Sequence, residues 1–115
     1  MAAPILVVDS DKMLVDLLAH ELQSETVVVS GFTTVSDALL FLEDVQPEVV
    51  LLNPEMDSGT DLIAELRRSW PGSAIVLLKT SSEEDPLEAS VAVFHKDQPF
   101  EQLLGIIQEL IGTAW

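Results

Sequence analysis

The chain has 115 residues, 48% of them hydrophobic, a formal net charge of −15 and no cysteine. This length and hydrophobic content favour a single globular domain, 1–115, while the lack of cysteine excludes disulfides, thiol catalysis and zinc–thiolate sites. The acidic charge argues against a nucleic-acid partner, because phosphate contacts need clustered Lys and Arg. No apolar run is long enough to cross a membrane, so we expect a cytoplasmic protein with no membrane partner.

The first half of the chain alternates predicted strands and helices. Aliphatic runs predict strands at 5–8, 26–30 and 49–52. Asp11 and Thr34 are suited to cap the two helices between them, and Gly31 is expected to close the second strand. The second helix is expected to end at Pro47. The apolar residues at helical spacing are Leu14, Leu17, Leu18 and Leu22 in the first helix and Ala38, Leu39, Leu42 and Val45 in the second.

The second half continues the alternation with one weak element. A third helix is predicted around Leu62, Ile63 and Leu66, followed by strands at 74–78 and 91–94. Between those strands the acidic segment 81–90 has few apolar residues, so only a short fourth helix is predicted there. The last helix has the clearest apolar face, formed by Phe100, Leu103, Leu104, Ile107, Leu110 and Ile111.

Alternation at this spacing implies right-handed crossovers and a parallel sheet covered on both faces. We therefore expect a flavodoxin-like three-layer α/β fold, with five strands in the order 2-1-3-4-5 and helix 4 short or degraded. Functional residues in such sheets follow the carboxyl ends of the strands. The candidate pocket at those ends consists of Asp9, Ser10, Asp11, Asn53, Lys79, Thr80 and Lys96.

Several segments, in this order and spacing, resemble the CheY-like response-regulator receiver domain over essentially the whole chain. They are Ile5-Leu6-Val7-Val8-Asp9, Pro47-Glu48-Val49-Val50-Leu51-Leu52, Asp61-Leu62-Ile63, and Lys96 followed by Pro99-Phe100. The resemblance implies an aspartate after strand 3 that is phosphorylated, with Mg²⁺ held by that residue and by acids after strand 1. It further implies a Ser or Thr after strand 4, an aromatic residue in strand 5 and a Lys after strand 5.

This chain departs from the family pattern at most of these positions. Asn53 replaces the phosphoacceptor, Ser10 a metal-ligating acid, and Val93 the aromatic residue, whereas Lys96 matches. Lys79 falls at the Ser/Thr position, although a slip of one residue would place Thr80 there instead. Mg²⁺ needs hard anionic oxygens, so its binding is expected to be weak or absent, and no metal site or cofactor is predicted.

These departures predict a particular chemistry for the pocket. An amide is a poor nucleophile beside a carboxylate, so no acyl phosphate is expected at Asn53, which is also suited to a turn before Pro54. Lys79 and Lys96 are expected to neutralise Asp9 and Asp11 in place of a metal, with the Asn53 amide as donor and acceptor among them.

The resemblance with these departures implies an atypical receiver that acts in two-component-type signalling as a phosphorylation-independent interaction module. One alternative is a phosphorelay receiver that uses another acceptor, Asp57 or Asp11, and another is a regulatory domain cut from a larger regulator. We expect no enzyme activity, because the chain has no glycine-rich phosphate loop, nucleophile elbow or metal cluster.

The family's common interaction face consists of helix 4, strand 5 and helix 5. A contact there, to a protein partner or to a second copy of the chain, is therefore expected. The residues assigned to this face are Glu84, Glu88, Val93, Phe94 and His95.

Overall fold

The chain forms a five-stranded parallel sheet in the computed structural model, which describes residues 3–80 and 91–111. The strands pair in the order β2-β1-β3-β4-β5, which confirms the predicted fold class and topology. The predicted short helix in 81–90 lies outside the described residues. The strands are β1 (Ala3–Val8), β2 (Val27–Phe32), β3 (Val49–Leu52), β4 (Ala74–Lys79) and β5 (Ala92–His95).

Four described helices cover the two faces of the sheet: α1 (Lys12–Leu22), α2 (Val35–Leu42), α3 (Gly59–Ser69) and α4 (Phe100–Ile111). One core packs between the sheet and the helices α1 and α4, and the other between the sheet and the helices α2 and α3. Every residue of β3 is buried, because its side chains alternate between these two cores. Burial on both faces explains why this strand is an uninterrupted aliphatic run.

The helix starts follow the predicted caps. The Asp11 carboxylate accepts hydrogen bonds from the backbone N–H groups of Met13 and Leu14, at 3.1 and 3.3 Å. The Thr34 hydroxyl accepts from the Asp37 N–H at 3.2 Å. Both side chains satisfy donors in the first turn that have no partner within the helix.

Three predicted apolar faces need correction. Leu17 is 50% exposed, and Val15 takes its place in the core with Leu18 and Leu22. In α2 Leu39 is 38% exposed, and in α4 Leu110 is 42% exposed. Helical spacing identifies an apolar stripe but does not determine which of its edges turns toward solvent.

Several element boundaries also differ from the prediction. Helix α2 ends at Leu42, well before Pro47, and β4 and β5 each end one residue later than expected. Gly31 lies inside β2 and does not close it. A Cβ at Gly31 would lie 2.5 Å from the Val15 Cγ1, so the missing side chain lets α1 pack closely on β2. In the described part of the chain, no helix combines the length and apolarity needed to cross a membrane.

Candidate functional site

The ends of β1 and β3 place Asp9 and Asn53 side by side. Val8 and Leu52 are register partners in the parallel pair, and the Asn53 N–H donates to the Val8 carbonyl at 3.0 Å. The Asp9 N–H donates to the carbonyl of Phe32, at the end of β2, at 3.2 Å. Three neighbouring strands therefore end at one level, and the first polar residue after each of β1 and β3 faces the same crevice.

Asp9 is the buried anion of this crevice, with a side chain that is 0% exposed. Its Oδ1 accepts hydrogen bonds from the Asp11 N–H at 3.0 Å and from the Asn53 amide at 3.4 Å. Its Oδ2 has no hydrogen-bond partner among the described residues but lies 2.7 Å from the Lys96 ammonium. A carboxylate removed from water needs such a countercharge, so Lys96 neutralises Asp9.

Asn53 joins this pair to the loop after β3. It is 9% exposed, and while its Nδ2 donates to Asp9, its Oδ1 accepts from the Glu55 N–H at 2.8 Å. A hydrogen bond from the backbone N–H of Glu55 to the side chain of Asn53, two residues earlier, is an Asx-turn, which is typical of asparagine at a tight turn. The amide thus has two roles, as a donor to the buried carboxylate and as the organiser of the following turn.

Ser10 and Asp11 are poorly suited to complete a metal site beside Asp9. Ser10 is exposed and offers no charge, and the exposed Asp11 carboxylate caps α1. Within residues 3–80 and 91–111, no three Asp, Glu or His side chains come together as candidate metal ligands.

Lys79 and Thr80 lie at the end of β4 in different surroundings. Lys79 is 4% exposed, has an interaction partner of its own, and accepts a 2.8 Å hydrogen bond at its carbonyl from the Lys96 N–H. The ammonium of Lys96 forms the expected ion pair with Asp9, while the expected pairing of Lys79 with Asp9 stays a prediction. Thr80 is exposed and binds the Glu55 carboxylate.

Glu55 is the residue of this site that the sequence did not indicate. Its carboxylate accepts from the Thr80 N–H at 3.1 Å and from the Thr80 hydroxyl at 3.0 Å. The only signal in the sequence was its position two residues after Asn53, in a loop that follows a strand end.

The residues assigned to the partner face are only partly at the surface. Phe94 is 6% exposed and packs in the core shared with α1 and α4, so it has almost no surface that a partner could contact. Val93 and His95 are partly exposed. Glu84 and Glu88 lie outside the described residues.

Asp57, one of the two alternative acceptors, lies in the loop between β3 and α3. It is exposed and lines a cleft of about 520 Å³ between the β1–α1 loop, the start of α2 and the β3–α3 loop. The other polar residues that line it all carry a hydroxyl group: Ser10, Thr33, Thr34, Ser36 and Ser58.

The family model of the response regulator receiver domain matches residues 5–98. The response regulator TrrA of Thermotoga maritima, crystallised with Mg²⁺ and beryllium fluoride, is similar at 26% identity and a TM-score of 0.82, over 94% of this chain and 98% of that one. TrrA crystallised in complex with the histidine kinase ThkA matches at 24% identity and a TM-score of 0.82, over 95% and 98%. Another response regulator of Thermotoga maritima has 18% identity and a TM-score of 0.84, over 98% and 100%. The chain therefore belongs to the response regulator receiver family and is a receiver domain of two-component signal transduction.

Proposed function

We propose that this receiver domain is a pseudo-receiver that interacts with proteins without being phosphorylated. The observation that carries the proposal is Asn53, which follows β3 directly and is 9% exposed. Its amide nitrogen is engaged with Asp9 and its amide oxygen with the Glu55 N–H. A carboxylamide in this position has neither the charge nor the free oxygen of a nucleophile.

The charge balance of the crevice supports the same proposal. The buried anion, Asp9, already has an ammonium group 2.7 Å away, and a second lysine, Lys79, is buried at the neighbouring strand end. A divalent cation would have to displace Lys96 and would gain one carboxylate in return, since Ser10 is neutral and Asp11 caps a helix. Mg²⁺ requires a near-octahedral set of hard oxygens, so the residues present do not fit it.

A protein partner is part of the proposal. TrrA, which is similar over nearly its full length, has been crystallised with its histidine kinase. For the present chain we propose that the contact lies on the face formed by β5 and α4, where Val93 and His95 are partly exposed. A partner or a second copy of the chain that binds there would be recognised without a phosphate-dependent change.

Helix α1 offers a second contact surface. Met13 is 83% exposed and Leu17 50% exposed, and Leu17 lines a cavity of about 150 Å³ together with Phe100. Exposed apolar residues beside a small cavity are typical of a protein contact. Met13→Asp would weaken the binding of a partner that contacts α1, and His95→Glu would weaken the binding of a partner that contacts β5.

The proposal is tested by titrating the ¹⁵N-labelled protein with Mg²⁺ and beryllium fluoride and following the backbone amides. Beryllium fluoride imitates a phosphoryl group only when a carboxylate oxygen completes its tetrahedron. Millimolar concentrations of Mg²⁺ and beryllium fluoride are expected to leave four backbone amide chemical shifts unchanged, those of Asn53, Glu55, Thr80 and Lys96. Saturable shifts at these four residues would contradict the proposal, and saturable shifts centred on Asp57 would favour the alternative acceptor.

A further inference from the structure

The carboxylate of Glu55 binds Thr80 at two points. One oxygen accepts from the Thr80 N–H at 3.1 Å and the other from its hydroxyl at 3.0 Å, across 25 positions of sequence. Charge-assisted hydrogen bonds of this kind are stronger than neutral ones, and two of them to one residue also fix its orientation. The contact therefore holds the first residue after β4 against the loop after β3.

This contact belongs to a continuous chain of polar contacts across the strand ends. The Glu55 N–H is held by the Asn53 side chain at 2.8 Å, and the Asn53 amide reaches Asp9. Asp9 pairs with Lys96, whose backbone N–H donates to the Lys79 carbonyl at 2.8 Å. The chain of contacts thus begins and ends at β4, and includes the ends of β1, β3 and β5.

We propose that Glu55 is a built-in anionic ligand of Thr80, which keeps the end of β4 in one position without an external anion. The inference rests on the proposed function, because a site that received a phosphoryl group would have its anion delivered by phosphorylation. A ligand attached to the chain is present at a fixed, high effective concentration. The β4 end, and through Lys79 and Lys96 the end of β5, is therefore held constitutively.

The proposal requires both the charge and the reach of Glu55. Glu55→Gln removes the charge and one acceptor oxygen, while Glu55→Asp keeps the charge but shortens the side chain by one methylene group. Both variants are expected to release Thr80. The matched control is Asp57→Asn, which removes one charge from the same loop at an exposed residue.

The test measures hydrogen exchange and chemical shift of the Thr80 amide in the folded protein. In Glu55→Gln and Glu55→Asp, exchange at Thr80 is expected to rise roughly 5- to 20-fold, as for the loss of one hydrogen bond to a charged acceptor. The chemical shift of the Lys96 amide is expected to change in the same two variants. Thr80→Ser, which keeps the hydroxyl, should restrict exchange as Thr80 does.

An unchanged Thr80 amide in Glu55→Gln, or an equal change in Asp57→Asn, would overturn the proposal. Neither measurement uses a phosphodonor. A result that contradicts this inference therefore leaves the proposed function untouched. Phosphorylation of the wild-type chain would contradict the proposed function whatever the Thr80 amide does.

Discussion

The ammonium of Lys96 lies 2.7 Å from a carboxylate oxygen of Asp9, and that carboxylate is fully buried whereas the lysine side chain is 20% exposed. The two partners are therefore not equivalent. Lys96 can turn toward water if Asp9 loses its charge, but Asp9 cannot reach water if Lys96 is removed. An isolated buried charge is far more costly than an isolated charge at the surface.

The first prediction is an asymmetric double-mutant cycle. Lys96→Met should lower the free energy of unfolding by about 2–4 kcal/mol, because it leaves Asp9 buried without its countercharge. Asp9→Asn should cost less, about 1–2 kcal/mol, and the double variant should show a coupling of at least about 1 kcal/mol. Urea unfolding at neutral pH measures all three values.

The exposed pair Lys12–Asp16 is the matched control for this cycle. Its atoms are 2.8 Å apart, but its side chains are 76% and 64% exposed. Its coupling should stay below about 0.5 kcal/mol, as for other helical surface pairs. Equal coupling in the two pairs would mean that the Asp9–Lys96 contact is an ordinary surface interaction.

The second prediction concerns the glycine that lets the β3–α3 loop close over Asn53. A Cβ at Gly59 would lie 2.7 Å from the Asn53 carbonyl oxygen and 3.0 Å from that of Pro54. Both atoms are backbone, so Gly59→Ala should destabilise the fold by about 1–3 kcal/mol.

Gly105 provides the opposite case within helix α4. A Cβ there would have nothing within 4 Å. Gly105→Ala should therefore stabilise the protein by about 0.5–1 kcal/mol through helix propensity. Thermal unfolding of the two variants compares them directly, and a stable Gly59→Ala protein would show that the loop does not need this close approach.

The sequence predicted the position of the site well and its contacts only in part. Buried parallel strands produce aliphatic runs with clear ends, so the pattern alone is enough to put Asp9, Asn53 and Lys96 at one edge of the sheet. Which lysine reaches Asp9 depends on side-chain direction at the ends of β4 and β5, and a period-2 pattern cannot resolve this at a strand terminus. Lys96 lies 2.7 Å from Asp9, whereas the pairing of Lys79 with Asp9 stays a prediction.

The Glu55–Thr80 contact was beyond sequence reasoning for another reason. It joins two loops whose conformations are set by the turn at Asn53 and by the end of β4, and neither loop has a periodic pattern. The exposure of Leu17 was missed because the apolar stripe of α1 is wider than the part that the sheet covers.

The third prediction is that Mg²⁺ leaves the melting temperature unchanged. A ligand that binds only the folded state must raise its stability by mass action. With Lys96 on Asp9 and a neutral Ser10, millimolar Mg²⁺ should shift Tm no more than the same ionic strength of NaCl. A rise in Tm specific to Mg²⁺ would mean that the metal displaces Lys96 from Asp9.

The fourth prediction is that restoring the acceptor carboxylate alone does not restore phosphorylation. Asn53→Asp alone should not accept phosphate efficiently from acetyl phosphate, because Ser10 supplies no metal ligand and Lys79 and Lys96 remain in place. The triple variant Asn53→Asp, Ser10→Asp, Lys79→Thr should perform better. Efficient labelling of the single variant would show that the missing acceptor is the only barrier.

The most direct measurement is the intact mass of the wild-type chain after incubation with acetyl phosphate and Mg²⁺. The mass is expected to stay unchanged with and without Mg²⁺, because Asn53 has no carboxylate to phosphorylate and Asp9 is paired with Lys96. A Mg²⁺-dependent mass increase of one phosphoryl group on the wild-type protein would contradict it.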